Sequence, residues 1–268
     1  MVTINQLFDD FIKKISLKDE EFELVKEWID YLKPNIERLD RVDKIILSGS
    51  YKRETAITPL HDVDIYAVMK RNLPQGSYNP SNAKSYFQSK LAEIKPEGTQ
   101  VFPHEDHGIK MNKGNFHIDF VITRYLGTNP DTYEIISKDN WIRTSPIFHE
   151  EHLRQKNQAT NGMAQNFIKL MKYWNKTKKK PLNSYHLEML VLDKLPNTIN
   201  SYPDGMKVLL EKLSDAVMHR IPHPLIGAPY VDELTNEERE LASKKLKDSF
   251  YQARVDKWEF VFDQSFLG

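Results

Sequence analysis

Two aspartates stand two residues apart in His61-Asp62-Val63-Asp64-Ile65, a short way downstream of a Gly49-Ser50 pair. On an extended strand, residues i and i+2 point to the same face, so the two carboxylates can share hard cations. Two Mg²⁺ ions roughly 3.5–4 Å apart at such a pair would activate an attacking hydroxyl and stabilise a leaving pyrophosphate. A strand that ends in Gly-Ser lets backbone N–H groups and a hydroxyl approach phosphate oxygens closely, because Gly49 has no side chain in the way. A helix beginning there would add the field of its N-terminus. This chemistry asks for a third carboxylate from a neighbouring strand. Asp119 fits, as the lone acid in Phe116-His117-Ile118-Asp119-Phe120-Val121-Ile122, where an acid is costly unless it is paired or ligates a metal. Taken singly, each piece has a bland reading: a turn, a surface acidic pair, an aspartate paired with a lysine. Their conjunction favours metal-dependent chemistry on phosphates.

The elements that must position these groups follow from periodicity. Lys44–Leu47 reads as a short buried strand running into Gly49, and Ile65–Met69 as a second. Phe116–Ile122 is the third. From about Ile4 to Leu39 the apolar spacing is helical, with a break near Ser16 to Asp19 and a bend or end expected at Pro34. Leu73 to Ser81 reads as a loop and Ala83–Ile94 as an amphipathic helix. Beyond about Pro130 the strand signal fades. Helices are expected at Ala164–Trp174, Ser184–Leu192, around Leu209–Leu213 and from Glu237 to Val255, with proline-rich joints at Pro222 to Pro229. The expected fold is α/β (α+β): a mixed-sheet core with N-terminal helices over residues 1–150, a helical lobe over 151–268, and a cleft between the lobes.

Composition sets limits on function. Lys plus Arg and Asp plus Glu are 38 each, so overall charge gives no support to a nucleic-acid binder, although a local basic groove stays open. There are no cysteines, which excludes disulfides, thiolate nucleophiles and zinc–cysteine sites. No run approaches the ~18 apolar residues of a membrane span, and the N-terminus does not read as a signal peptide. A cytoplasmic protein with no membrane partner is expected. Other features are set aside: His104-Glu105-Asp106-His107 as an exposed loop, His61 as facing away from Asp62, and Lys178 to Lys180 as a basic connection between helices.

With its Gly-Ser turn, Asp-x-Asp and later Asp, the stretch GSYKRETAITPLHDVDIYAV resembles the polymerase-beta-type nucleotidyltransferase superfamily. Tyr51-Lys52-Arg53 and Thr55 are similar to the bacterial enzymes related to the animal cytosolic DNA sensor and oligoadenylate synthetase. Those enzymes often have glycine where this chain has Glu54. The second half extends the resemblance through Lys169-Leu170-Met171-Lys172-Tyr173-Trp174 and Ser184-Tyr185-His186. It implies that Lys172 and Ser184 bind a nucleotide triphosphate and that Tyr185 stacks on a base. An ammonium suits phosphate as a point charge, and an aromatic face stacks on any base for ~1–3 kcal/mol.

The resemblance thus implies a polymerase-beta-like core in which Asp62, Asp64 and Asp119 are catalytic and hold two Mg²⁺ ions, Mn²⁺ being able to substitute. Gly49, Ser50, Lys172, Ser184 and Tyr185 are the implied nucleotide-binding residues. NTPs, ATP among them, are the implied substrates, joined into a cyclic di- or trinucleotide messenger of bacterial anti-phage signalling with release of pyrophosphate. An activating protein or RNA ligand is left unspecified. Two other classes stay open: a nucleotidyltransferase with a macromolecular acceptor, of the CCA-adding, poly(A) or tRNA- or protein-modifying kind, and a non-catalytic binding module.

Overall fold

The computed structural model describes residues 2–104, 108–127, 131–221 and 234–267. Its elements in order are α1 (Ile4–Ile15), α2 (Asp19–Glu37), β1 (Val42–Ser48), α3 (Gly49–Lys52), β2 (Asp62–Met69), α4 (Pro80–Ile94), β3 (Gln100–His104), β4 (Gly108–Lys113), β5 (Phe116–Gly127), β6 (Thr132–Ser137) and β7 (Asn140–Thr144). The helices α5 (Pro146–Ala159), α6 (Ala164–Thr177), α7 (Ser184–Lys194), α8 (Tyr202–Ala216), α9 (Asn236–Arg254) and α10 (Trp258–Val261) follow. The expected mixed α/β class is what the chain adopts. Contacts divide it into two compact units: residues 17–150, and residues 2–16 together with the described residues from 151 onward. The first helix, placed with the core in the sequence division, therefore keeps company with the late helices.

In the sheet unit one seven-stranded sheet runs in the order β1-β2-β5-β4-β3, with β6 on β5 and β7 on β6. Among the described residues, only β2 and β5 pair in parallel; the other pairings are antiparallel. Alternation then sorts the side chains. Val63, Ile65, Ala67 and Met69 of β2 and Phe116, Ile118, Phe120 and Ile122 of β5 join one buried core, with Val25, Trp28, Leu32 and Ile36 of α2 and Ala83, Phe87 and Leu91 of α4. The residues between them, Asp62, Asp64, His117 and Asp119, fall on the other face. Burying the odd-numbered β2 positions and the even-numbered β5 positions under two helices thus presents the acids opposite the core.

Several expectations are corrected. β6 and β7 continue the sheet past Pro130, because β5 is 12 residues long and its second half still needs a partner: Thr123 to Gly127 pair with β6. β3 and β4 were hidden by their mixed polarity, the signature of strands near a sheet edge rather than at its centre. Pro34 neither ends nor breaks α2, which runs 19 residues to Glu37. The Pro222 to Pro229 joints lie outside the described residues.

In the helical unit, α6 buries Phe167, Ile168, Leu170, Met171 and Trp174, the periodic stripe its sequence announces. α1 is fastened by a capping box, Thr3 accepting from the Gln6 N–H and Gln6 from the Thr3 N–H, which satisfies two otherwise orphaned donors. Its Phe8 and Phe11 enter an aromatic cluster with Trp258, Phe262 and Phe266. That cluster is why α1 belongs with this unit.

Candidate active site

β1 delivers Gly49-Ser50 to the edge of the acidic face. Ser48 lies opposite Asp64 in the β1–β2 register, so the turn begins beside the second aspartate. Gly49 sits at φ +70°, and a Cβ built on it would lie 1.7 Å from Asp64 Oδ2. No L-residue with a side chain fits there: the backbone angle disfavours it and the carboxylate fills the space. The glycine is thus required by Asp64 itself, beyond any need of a phosphate. α3 is only four residues long, so the expected helix field is that of a single turn. Below it, the Ser50 carbonyl accepts from the N–H groups of Thr55 (2.9 Å) and Ala56 (3.2 Å), which ties the turn down. Glu54 holds φ +57°. This is the left-handed geometry that glycine adopts without strain, and it gives a physical reason for glycine at this position in similar enzymes.

The parallel β2–β5 ladder sets Asp64 opposite Asp119 and Asp62 opposite His117. Asp62 is exposed, while Asp64, His117 and Asp119 are half-buried. One ligand-capable atom from each of Asp62, His117 and Asp119 lies within 4.8 Å of the others. Asp64 and Asp119 also line one small pocket, with His104 and Gly108. The structure therefore brings the three predicted acids to one place and adds His117, whose i, i+2 relation to Asp119 was legible in the sequence. His104, set aside as part of an exposed loop, ends β3 at this pocket; Glu105, Asp106 and His107 lie outside the described residues.

Asp119 has a mixed environment. Lys110 Nζ is 3.6 Å from its Oδ1 and His117 Nε2 is 3.6 Å from its Oδ2. The lysine partner of the bland reading is thus present. Burial raises the carboxyl's pKa, but His117 first, then the charges of Lys110 and His104, outweigh it and hold the pKa below the usual value. The group is ionised near neutrality. Its Oδ1 is nevertheless buried without a hydrogen bond. An ionised, incompletely satisfied oxygen beside a second and third carboxylate is a donor set that suits a hard divalent cation. The residues present fit such an ion.

The other predicted residues lie in the helical unit. Lys172 is buried on α6, with Nζ 3.3 Å from Glu188 Oε2 of α7; only 8% and 4% of the two side chains is exposed. The sequence singled out Lys172 but not Glu188, because an ion pair between two helices has no signal in spacing. Ser184 is exposed as the first residue of α7, and Tyr185 is half-buried behind the cap that Asn183 makes to the Tyr185 N–H.

The sheet unit, with its strand–Gly-Ser–Asp-x-Asp order and third aspartate in register, defines a polymerase-beta-like nucleotidyltransferase fold. No family model matches the chain. Two curated relatives do: a "Probable cyclic nucleotide synthase" of Bacillus cereus (strain VD146), 26% identical over 249 residues (76% of this chain, 74% of that protein), and the "Cyclic AMP-AMP-AMP synthase" of Acinetobacter sp. (strain ATCC 27244 / 9458), 27% identical over 195 residues (66% of this chain). The latter match spans only 54% of the Acinetobacter protein. Among solved structures, E. coli MS115-1 CdnC with ATP superposes with a TM-score of 0.79 at 18% identity, covering 98% of this chain and 99% of that one. The chain is a nucleotidyltransferase similar to these cyclic nucleotide synthases, and it shares the fold of the bacterial CD-NTases.

Proposed function

We infer that the protein joins NTPs into a cyclic di- or trinucleotide, releasing pyrophosphate at each joining step. The observation that carries this is the register of Asp64 on Asp119 and of Asp62 on His117, with Gly49 directly beneath the Asp64 carboxylate. The names of the two curated relatives support cyclic products, and one of them a three-nucleotide ring.

Asp62, Asp64 and Asp119 would hold two divalent ions, Mg²⁺ with Mn²⁺ as a substitute. When bound, such ions supply charge neutralisation for the attacking and leaving oxygens of an in-line displacement at the α-phosphorus. The chain's own groups do the rest. Gly49 leaves the turn's backbone open to the donor phosphates, and the Ser50 hydroxyl donates to them. Lys172 and Ser184 bind triphosphate oxygens and Tyr185 stacks on a base. Asp119, ionised near neutrality, lies nearest the attacking hydroxyl and favours loss of its proton. Repetition of the step within one linear product closes the ring. A role in anti-phage signalling in the cytoplasm accords with this chemistry, and among the described residues no helix is long and apolar enough to cross a membrane.

The test is incubation of the purified protein with labelled NTPs and Mg²⁺ or Mn²⁺, followed by phosphatase. Label in small, phosphatase-resistant products is expected, and it is lost with chelator. Label on added RNA or protein would instead support a macromolecular acceptor. The absence of any incorporation under activating conditions would favour the non-catalytic reading.

A further inference from the structure

His117 is not one of the three carboxylates, yet it stands inside the site. It lies opposite Asp62 in the β2–β5 register, and its backbone N–H is anchored to the His61 carbonyl at 2.9 Å. Its Nε2 is 3.6 Å from Asp119 Oδ2, which is too long for a good hydrogen bond. Two donors each about 2.1–2.2 Å from one ion, at tetrahedral or octahedral angles, sit roughly 3–3.5 Å apart. The imidazole and the carboxylate are therefore spaced as co-ligands are. Asp62 closes the set, with all three donor atoms inside 4.8 Å, and among the described residues this is the group of three that converges in this way.

We propose that His117 is a direct ligand of the ion held by Asp62 and Asp119, so that one metal position is a mixed nitrogen–oxygen site favouring a first-row divalent ion over Mg²⁺. The proposal rests on the metal-dependent reading above. Its physical basis is ligand softness. Mg²⁺ takes oxygen donors and keeps its water reluctantly exchanged, gaining little from an imidazole, whereas first-row ions bind one well. Two carboxylates and an imidazole on adjacent strands also leave coordination positions open for phosphate oxygens, which a closed structural site would not.

The probe is Mn²⁺ added to the full-length protein without nucleotide, followed by electron paramagnetic resonance. Pulsed spectra of unlabelled and ¹⁵N-histidine-labelled protein should show one directly bound imidazole nitrogen, absent in His117→Asn. Mn²⁺ affinity should fall about tenfold or more in that variant, while Mg²⁺ affinity, measured by competition, barely changes. Mn²⁺ that binds saturably but shows no nitrogen coupling overturns the proposal and leaves the three-aspartate reading intact. Coupling that survives in both His117→Asn and His117→Gln also overturns it. Failure of Mn²⁺ to bind at all sinks the metal-dependent reading along with it. The wild-type spectrum requires no variant, so an unstable His117→Asn does not weaken the test.

Discussion

The two sets of candidate residues are held by different physics. In the sheet unit, Asp62, Asp64, His117 and Asp119 are placed by backbone hydrogen bonds: the parallel register fixes which residue faces which, and alternation fixes the face. In the helical unit, Lys172 is placed by a side-chain ion pair with Glu188 across two helices, both groups nearly sealed from solvent. A register tolerates substitution of the side chains it carries, because the ladder is made by the backbone. A buried ion pair does not, because removing one partner strands the other charge. The sheet site should therefore lose chemistry without losing fold, and the helical one should lose fold along with any chemistry.

The sharpest break of that contrast is Asp64→Asn. With the ladder intact, its melting temperature should stay close to wild type, while nucleotide incorporation falls by roughly a thousand-fold or more, as expected for loss of several kcal/mol of metal-borne stabilisation. Retained incorporation would remove the acid from the mechanism. Next comes Glu188→Ala, expected to destabilise the protein by about 3–5 kcal/mol through loss of the carboxylate paired with the buried Lys172 ammonium, read by urea unfolding. The double variant Lys172→Met/Glu188→Leu should recover most of that loss. If it folds yet fails to bind ATP, Lys172 serves nucleotide as well as fold; if it binds normally, the pair is structural only.

Gly49→Ala couples the two behaviours in one residue. Its Cβ would meet Asp64 Oδ2 at 1.7 Å with φ at +70°, so a stability loss of about 1–3 kcal/mol is expected along with displacement of the carboxylate. Calorimetry and incorporation should fall together, unlike in Asp64→Asn. The smallest effect belongs to Glu54→Gly. Relief of the left-handed backbone is offset in part by the greater freedom of glycine in the unfolded chain, leaving a gain below about 1 kcal/mol. A decrease in melting temperature would show that the Glu54 side chain contributes something the backbone angle does not reveal.

How much of this was legible beforehand depended on how local each feature is. The acids were readable because a strand's period is two, and His117 was readable by the same rule at its i, i+2 distance from Asp119. β6 and β7 were missed because their apolar content is modest and their stability comes from pairing with the second half of β5. Pro34 does not end α2, as a local reading allows, because Val25, Trp28, Leu32 and Ile36 hold the helix on the sheet along both sides of it.

By itself the sequence determined the candidates for the chemistry: which acids, at which spacing, after which turn. Those depend on residue type and on periods of two and 3.6, which every short segment carries within itself. Tertiary structure alone decided that Asp64 lies over Gly49, that Asp119 lies opposite Asp64, and that Lys172 is locked to Glu188. These are distances between segments far apart in the chain, set by strand register and helix packing, and no local pattern encodes them.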